Sequence, residues 1–314
     1  MTRIGLLGAT GHIAKGLIFT LSQSADITLV LYARRPQAVG AFCQSLTAPQ
    51  QKRIQIEDIR QFGRDGLDAV INAIGAGDPA HVKSLGPQIF HATEMWDNAV
   101  LDYISRHKDT RYLFLSSGAV YGTEAIEPAT ANSTFSVNPN AIDSSHSYTL
   151  AKLNAEAKHR AHSDANICDI RVFAYFSRFI DLGGTFFLAE LARSLMNGEV
   201  FVTSPEDMIR DYADAEHLTA LVRCCLEPPR LNAAVDLYTK APVRKFELLE
   251  RFAVDFGVKY RISSDRTNLN ATGLKRSYYS SLKTAAKFGY QPFHSAEDIV
   301  ASEMAVLLSS AKLS

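Results

Sequence analysis

Tyr148 and Lys152 are the residues of this sequence whose types and spacing best suit proton transfer. They stand four positions apart in a helical pattern, so both side chains lie on one face of the predicted helix. A free phenol has a pKa of about 10, and a neighbouring ammonium group favours the phenolate and lowers that value. Ser117, at the end of an earlier apolar strand, can hydrogen-bond a substrate oxygen. The three residues predict an acid–base site that interconverts a carbonyl and an alcohol, with Tyr148 handling the proton.

A glycine-rich turn stands near the start of the chain, between an apolar strand and a helical segment. It reads Gly8-Ala9-Thr10-Gly11-His12-Ile13-Ala14. Gly8 permits the tight turn, and Gly11 lets the backbone approach a pyrophosphate at the helix N-terminus. We expect a dinucleotide to bind here, through Gly8, Thr10, Gly11, His12 and Ile13; a purely structural turn is the alternative.

Two arginines follow the second predicted strand, where enzymes that prefer NAD usually carry an acidic residue. Arg34 and Arg35 can hold a 2′-phosphate by charge-assisted hydrogen bonds. The sequence therefore predicts NADP(H) in preference to NAD(H); the alternative is that one or both side chains point to solvent. Lys152 would also hold the nicotinamide ribose, while the nicotinamide ring exchanges the hydride.

Two more segments are expected to meet the cofactor because ligands bind at the carboxyl ends of parallel strands. Asp58 and Ile59 follow the third predicted strand and are placed to contact the adenine. Ala73, Ile74 and Gly75 follow the fourth strand, where small residues would let the cofactor pass.

The first half of the chain alternates buried, β-branched runs with helical stretches, which is typical of a parallel sheet with helical crossovers. Predicted helices near 12–23, 36–47, 87–107 and 146–162 separate the strands. This pattern predicts an α/β fold with a Rossmann-type doubly wound parallel sheet. After about residue 173 the rhythm becomes irregular and mainly helical, with a strand returning at AAVDLYT.

We divide the chain accordingly into a dinucleotide-binding domain and a smaller, mainly helical C-terminal substrate lobe. The first comprises residues 1–172 with a returning segment near 207–240. The second comprises residues 173–206 and 241–314, with a cleft expected between the two.

Composition excludes several classes of protein. The 314 residues are 46% apolar and 21% charged, and 33 basic residues balance 33 acidic ones, so no broad attraction to nucleic acid or an anionic membrane is expected. No run approaches the ~18 apolar residues of a membrane helix, and the N-terminal apolar stretch is too short for a signal peptide, which predicts a cytoplasmic protein. The four cysteines, Cys43, Cys168, Cys224 and Cys225, form no disulfide or metal pattern and are expected to be buried thiols.

Five motifs resemble those of the extended short-chain dehydrogenase/reductase family, in its branch of nucleotide-sugar epimerases, dehydratases and reductases. GATGHIA is similar to the family's glycine turn, SSGAVYG to its serine motif, and YTLAK to its active-site motif. IRDYADAE at 209–216 and KFGYQP at 287–292 resemble two later segments that a generic dinucleotide-binding enzyme lacks. The resemblance covers nearly the whole chain.

The resemblance implies roles for several residues. Ser117, Tyr148 and Lys152 would take the catalytic roles described above, and Arg210 would contact the diphosphate of a nucleotide-sugar; an ion pair with Asp211 or Asp214 is the alternative. Arg266 is a candidate second phosphate contact by its position. The helices near 87–107 and 146–162 would pair across a two-fold axis in a homodimer, using outward apolar residues; the alternative is that these residues face the sheet. They are Trp96, Val100 and Leu153.

Departures from the family pattern favour one reaction over others. The resembling dehydratases carry an Asp-Glu pair directly after the catalytic Ser or Thr, whereas Gly118 and Ala119 stand here. Resembling 4-epimerases keep NAD bound and carry an acidic residue after the second strand, whereas this chain has Ala33-Arg34. We therefore expect an NADP(H)-dependent reductase acting on a keto group of a nucleotide-activated deoxyhexose. The alternatives are an epimerase of the same substrate class and a non-catalytic NADP-sensing regulator.

Overall fold

The strands and helices of the protein follow the alternation expected in the first half of the chain. A computed structural model describes residues 1–75, 82, 84–122, 124–264 and 275–311. In chain order the strands are β1 (Thr2–Leu7), β2 (Ile27–Ala33), β3 (Ile54–Asp58), β4 (Ala69–Asn72), β5 (Arg111–Ser117), β6 (Ile167–Val172), β7 (Ala174–Tyr175), β8 (Phe201–Thr203), β9 (Ile209–Arg210), β10 (Tyr212–Ala213), β11 (Asn232–Asp236), β12 (Val243–Arg244), β13 (Tyr260–Ile262) and β14 (Ser277–Tyr278). The helices are α1 (His12–Leu21), α2 (Pro36–Cys43), α3 (Ala48–Gln51), α4 (Gln88–Arg106), α5 (Ser147–Ala161), α6 (Phe187–Asn197), α7 (Ala215–Leu226), α8 (Lys245–Phe256) and α9 (Ala296–Ala311).

Seven strands form one central sheet in the order β3-β2-β1-β4-β5-β6-β11, and every neighbouring pair is parallel. The connections run outward in one direction from β1 and in the other from β4. This reversal leaves a crevice at the carboxyl ends of β1 and β4, where doubly wound folds bind ligands. The predicted Rossmann-type fold is confirmed, and the returning strand is β11.

Helices cover both faces of this sheet, which explains why its strands are apolar without alternation. On one face, α1, α2 and α7 pack against the sheet through side chains such as Leu17, Val39 and Leu221. On the other, α4 and α5 pack against Tyr112 and Phe114 of β5. Both layers therefore hold the strand ends rigidly.

A second apolar core joins α6, α8 and α9 with residues that follow β7. Leu191, Phe252 and Met304 are fully buried in it. Two short two-stranded sheets, β13-β8 and β10-β7, and one three-stranded sheet, β12-β9-β14, lie beside the helices of this half of the chain. The mainly helical C-terminal lobe is thus confirmed.

The outward residues predicted for dimerisation divide into two groups. Val100 is completely buried under the sheet, so its assignment to an outer face is wrong: its position on α4 points toward β5. Trp96 is partly buried against the same cluster, whereas Leu153 is 36% exposed on α5 and Met95 is 45% exposed on α4.

Each cysteine is a free thiol, three are buried and Cys224 is partly exposed. In the described ranges no group of three or more His, Cys, Asp or Glu side chains is arranged to hold a metal ion. None of the helices among the described residues is long and apolar enough to cross a membrane.

Candidate active site

Ser117 and Tyr148 meet at the carboxyl edge of the sheet. Ser117 is the last residue of β5, and its hydroxyl accepts a hydrogen bond from the Ala119 amide at 3.2 Å. Tyr148 lies in the first turn of α5, half-buried, with its ring against Ile89. Burial raises the pKa of the Tyr148 phenol, and the nearby Ser117 hydroxyl lowers it by a smaller amount. In this structure Tyr148 is therefore a neutral phenol at neutral pH.

Lys152 lies one turn further along α5 and is 3% exposed. Its Nζ donates to the Leu115 carbonyl at 2.8 Å and stands 4.3 Å from the centre of the Phe114 ring. Burial lowers its pKa to about 8. The expectation that the ammonium group lowers the phenol pKa is not met here, because the amine bonds to a carbonyl and burial dominates the titration of Tyr148.

The glycine turn follows β1 into α1, as predicted. Gly8 has φ +80°, and a Cβ there would stand 3.0 Å from the Ala73 carbonyl, so only glycine fits without strain. Gly11 precedes α1, and a Cβ there would meet only the Gly8 carbonyl oxygen, at 3.5 Å. The exposed space at Gly11, beside the free amides of the helix N-terminus, suits a pyrophosphate.

Three neighbouring side chains of this turn point in different directions. Thr10 is exposed, while Ile13 is partly buried and packs on the core. The His12 Nε2 lies 2.9 Å from the Ser177 hydroxyl, and burial lowers the pKa of His12 to about 4. His12 is thus a neutral ring that ties the turn to the segment after β7, and its backbone rather than its ring faces the predicted pyrophosphate site.

The loop after β4 runs directly beside the glycine turn. The Ala73 amide donates to the Leu7 carbonyl at 3.0 Å, and the Ile74 amide donates to the Asn72 side chain at 3.0 Å. A Cβ on Gly75 would lie 3.6 Å from the Lys152 Nζ. This loop therefore connects the predicted pyrophosphate site with the buried lysine, as a dinucleotide spanning both would require.

Residues after β2 and β3 lie at the other end of the crevice. Arg34 and Arg35 are both exposed, and neither makes a side-chain hydrogen bond or ion pair within the described ranges. The Asp58 carboxylate binds the Arg60 side chain at 2.7 and 2.8 Å, which holds the pKa of Asp58 near 2. The Ile59 side chain is buried in the core, so any contact of Ile59 with an adenine involves its backbone.

Arg210 reaches the site from β9 and is 8% exposed. Its guanidinium donates to the main-chain carbonyls of Ile209 at 2.8 Å and Arg276 at 3.4 Å. The alternative of an ion pair within its own segment is wrong, because Asp211 binds Thr239 and Asp214 binds His217. Arg210 therefore keeps a positive charge without a carboxylate partner among the described residues. Arg266 lies outside the described residues.

The sequence analysis did not predict two candidate functional residues, Tyr278 and Lys275. The Tyr278 hydroxyl lies 3.1 Å from the Ser117 hydroxyl. Lys275 is 8% exposed, and its Nζ stands 4.0 Å above the centre of the Tyr278 ring. Neither residue belongs to a recognisable motif. Both are too far along the sequence from Ser117 and Tyr148 for helical or strand spacing to relate them.

Comparison with protein families shows to which family this site and fold belong. The model of the NAD dependent epimerase/dehydratase family matches residues 4–238. The chain belongs to this family. The resemblance of its motifs is thereby confirmed, although no curated protein matches it by sequence.

Solved structures of the same fold are similar over essentially their whole length. A UDP-glucuronic acid 4-epimerase variant from Bacillus cereus, solved with a fluorinated UDP-glucuronic acid and NAD, is 15% identical with TM-score 0.79, covering 99% of this chain and 100% of that one. A UDP-glucose-4-epimerase from Stenotrophomonas maltophila with bound NAD is 15% identical with TM-score 0.80, covering 100% and 99%. A dTDP-glucose 4,6-dehydratase from Bacillus anthracis in complex with NAD is 11% identical with TM-score 0.76, covering 99% and 98%. At these identities the likeness shows the fold alone.

Within the family, the packing at Gly118 separates this chain from the dehydratase pattern. A Cβ at Gly118 would stand 2.3 Å from the Phe173 ring. That ring packs against Tyr121 and Tyr278, with centroid distances of 5.9 and 5.2 Å. An aspartate at this position, as in the resembling dehydratases, would require the Phe173 ring to move.

Proposed function

We propose that the protein is a nucleotide-sugar epimerase that works with a bound nicotinamide dinucleotide. The observation that carries this proposal is the Ser117–Tyr148 hydroxyl pair beside the buried Lys152, at the crevice bordered by the glycine turn. The open space at Gly11 and the approach of Gly75 to Lys152 fit a dinucleotide that lies along the strand ends. The family membership and the epimerases among the structural neighbours support the same reaction.

In this proposal the phenolate form of Tyr148 removes the proton from the sugar hydroxyl that is oxidised, and Ser117 hydrogen-bonds the same oxygen. A nicotinamide dinucleotide held along the glycine turn would supply a hydride acceptor and donor at that carbon, and return of the hydride to the opposite face of the ketone would invert the centre. Tyr148 then gives the proton back. Burial keeps Tyr148 neutral in this structure, where the Lys152 amine bonds to the Leu115 carbonyl. The proposal therefore requires the positive charge of Lys152, one turn away on the same helix face, to stabilise the phenolate once substrate and cofactor are bound.

The substrate class follows from Arg210. A buried guanidinium without a carboxylate partner favours an anionic group, and its fork of donors matches phosphate oxygens. The epimerases and the dehydratase named above carry UDP- or dTDP-sugars in their names, which supports a nucleoside-diphosphate sugar here.

A second candidate is the NADP(H)-dependent reductase expected from the sequence. The observation in its favour is the pair of exposed arginines after β2, Arg34 and Arg35, which are free to meet a 2′-phosphate. The bound NAD of the structural neighbours favours NAD and so weighs against this candidate.

The test separates the two reactions. The purified full chain is denatured and its released dinucleotide identified. The native protein is then given UDP- and dTDP-hexoses, and the keto derivatives of these sugars, with and without added NADPH. Epimer formation without net consumption of NADPH supports the epimerase, and stoichiometric NADPH oxidation supports the reductase.

Two variants complete this test. The Tyr148→Phe variant should lose either activity; a biological activity that Tyr148→Phe leaves untouched would favour the non-catalytic NADP-sensing regulator instead. If the protein is the reductase, replacing Arg34 and Arg35 by alanine weakens the binding of NADPH at least tenfold more than the binding of NADH, because only NADPH carries the 2′-phosphate.

Further proposals concern the organisation of the protein. We assign dinucleotide binding to residues 1–172 and 207–240 and substrate binding to 173–206 and 241–314. We also propose a cytoplasmic homodimer in which α4 and α5 pair with their copies, with Met95 and Leu153 as exposed apolar contacts.

A further inference from the structure

The Tyr278 hydroxyl lies against the proposed catalytic serine. It stands 3.1 Å from the Ser117 Oγ, and both residues are buried, with Ser117 6% and Tyr278 8% exposed. The Ala119 amide donates to the same serine oxygen at 3.2 Å. The Tyr148 phenol is close enough to Ser117 for the serine hydroxyl to lower its pKa. Ser117 therefore has two partners of its own, Ala119 and Tyr278, beside the phenol proposed to move the proton.

The direction of the hydrogen bond between Tyr278 and Ser117 decides what Ser117 can offer a substrate. A serine hydroxyl has one proton and two lone pairs, and a phenol has one proton to donate. If Tyr278 donates, the Tyr278 proton and the Ala119 amide occupy both lone pairs of Ser117, and the Ser117 proton stays free. If Ser117 donates instead, its proton is used, and the buried Tyr278 proton has no acceptor among the described residues. Because an unpaired buried donor is destabilising, donation by Tyr278 is favoured.

The surroundings of Tyr278 keep it a donor. Burial raises the pKa of its phenol, and the hydrogen bond with Ser117 opposes this by a smaller amount, so Tyr278 keeps its proton at neutral pH. The Ala119 amide also faces the Tyr278 oxygen, which favours acceptance there and donation toward Ser117. The Lys275 Nζ and the Arg210 guanidinium carbon lie 4.0 and 5.8 Å from the centre of the ring. Positive charge beside the ring polarises the O–H bond and makes the phenol a stronger donor.

The position of Tyr278 is fixed by its backbone and by its ring. β14, which carries it, pairs with β9. The Ser277 amide donates to the Ala125 carbonyl at 2.8 Å, so the segment that follows Ser117 and β5 also holds this strand. The Tyr278 ring packs against Phe173, with 5.2 Å between the ring centroids. The hydroxyl is therefore held at Ser117 by contacts from three separate parts of the chain.

We propose that Tyr278 is a positioning residue that donates its hydrogen bond to Ser117 and so leaves the Ser117 proton for the reacting oxygen of the sugar. The inference rests on the proposed function for the reaction that it serves. A ketone oxygen can only accept hydrogen bonds, so Ser117 must present its proton to it. Successive hydrogen bonds polarise one another, so the bond from Tyr278 strengthens the bond from Ser117 as negative charge develops on the sugar oxygen.

Kinetics of variants of the full chain test this role. Tyr278→Phe removes the hydroxyl and keeps the ring, and Tyr279→Phe, at the adjacent half-buried tyrosine, is the matched control. The substrates are UDP- and dTDP-hexoses and, with NADPH, their keto derivatives. We expect Tyr278→Phe to lower kcat about tenfold and to leave KM within about threefold, because the bond acts when charge develops at the reacting oxygen. Tyr279→Phe should keep kcat within about twofold of the wild type.

A double variant separates positioning from a general structural role. Because Tyr278 acts through Ser117, Tyr278→Phe should change kcat by less than about twofold in a Ser117→Ala background. A change that disturbs the fold instead lowers kcat in both backgrounds by a similar factor. Thermal unfolding of each variant shows whether it is folded under the assay conditions.

Infrared spectroscopy of the substrate-free protein gives a readout that needs no activity. The C–O stretch of a phenol differs between a donating and an accepting hydroxyl. With isotope-labelled tyrosine, the difference between the spectra of the wild type and Tyr278→Phe isolates the band of Tyr278. We expect the band of a donating phenol. In a Ser117→Ala background the Tyr278 band should move to the frequency of a phenol that has lost this acceptor.

The outcomes separate this inference from the proposed function. An accepting Tyr278, a Tyr278→Phe enzyme with full kcat, or an equal loss in the Ser117→Ala background overturns the role of Tyr278 while the epimerase proposal stands. A wild type that converts neither the sugar nucleotides nor their keto derivatives overturns the proposed function. In that protein a donating Tyr278 band that depends on Ser117 retains the hydrogen-bond assignment, and an accepting band makes both proposals wrong.

Discussion

Replacing Lys152 by methionine should make the protein more stable while it removes activity. Folding lowers the pKa of this lysine from 10.5 to about 8, so keeping it charged costs about 3 kcal/mol relative to the unfolded chain. Methionine has a similar length and no charge, but it leaves the Leu115 carbonyl without its hydrogen bond, a loss of about 1–2 kcal/mol. We expect a net gain of about 1–2 kcal/mol in the free energy of unfolding at pH 7. Proposed catalytic residues often carry such a cost.

The pH dependence gives the sign of this effect. Because the folded pKa is the lower one, the penalty is complete below pH 8 and disappears as the pH rises from about 8 to 10.5. Urea unfolding of the wild type and of Lys152→Met should therefore show a difference that shrinks over that range, while the exposed-lysine control Lys52→Met shows none. A Lys152→Met protein that is less stable than the wild type at pH 7, or a difference that does not change with pH, would refute the reasoning.

Three other outcomes are expected. Gly8→Ala should lower the free energy of unfolding by about 1–3 kcal/mol, because φ is +80° and the new Cβ meets a carbonyl. Gly11→Ala should keep the thermal stability of the wild type and weaken cofactor binding at least tenfold, as measured by fluorescence titration. Gly118→Ala should lower the free energy of unfolding by about 1–3 kcal/mol, because the new methyl group clashes with Phe173. The double variant Gly118→Ala, Phe173→Leu should recover part of that loss in a thermal unfolding assay. Burial lowers the pKa of His159, but the two buried carboxylates that hold the ring outweigh it and raise the pKa to about 9, so His159 should titrate near pH 9 by NMR. Its stabilising contribution is complete below pH about 6.5 and is lost as the pH rises through 9, and a midpoint near 6.5 would contradict this.

Much of the fold was predictable because its signals are local. The apolar runs that become β1, β2 and β5 are buried on both faces, so they read as strands without any knowledge of their partners. Glycine with positive φ at the end of β1 is also a local requirement, which is why the turn at Gly8 is found where the motif predicts it.

Predictions that depended on side-chain direction were less accurate. The prediction places Val100 on an outer face, whereas its side chain is buried in the core under the sheet. The rotation of a helix about its axis and the direction of a strand-end residue follow from packing, which helical spacing alone leaves open. The predicted lowering of the phenol pKa by Lys152 is likewise not found, because burial depends on the residues that surround both groups.

The sequence by itself determined which side chains share a helix turn or a strand end: Tyr148 with Lys152, Gly8 with Gly11, and Ser117 at the close of β5. Only the tertiary structure brought Tyr278 against Ser117 and stacked Lys275 and Arg210 on its ring. The physical reason is the distance along the sequence over which each kind of geometry relates two residues. Helix and turn geometry relate residues a few positions apart, whereas a contact between residues 161 positions apart exists only after two elements have packed and excluded water.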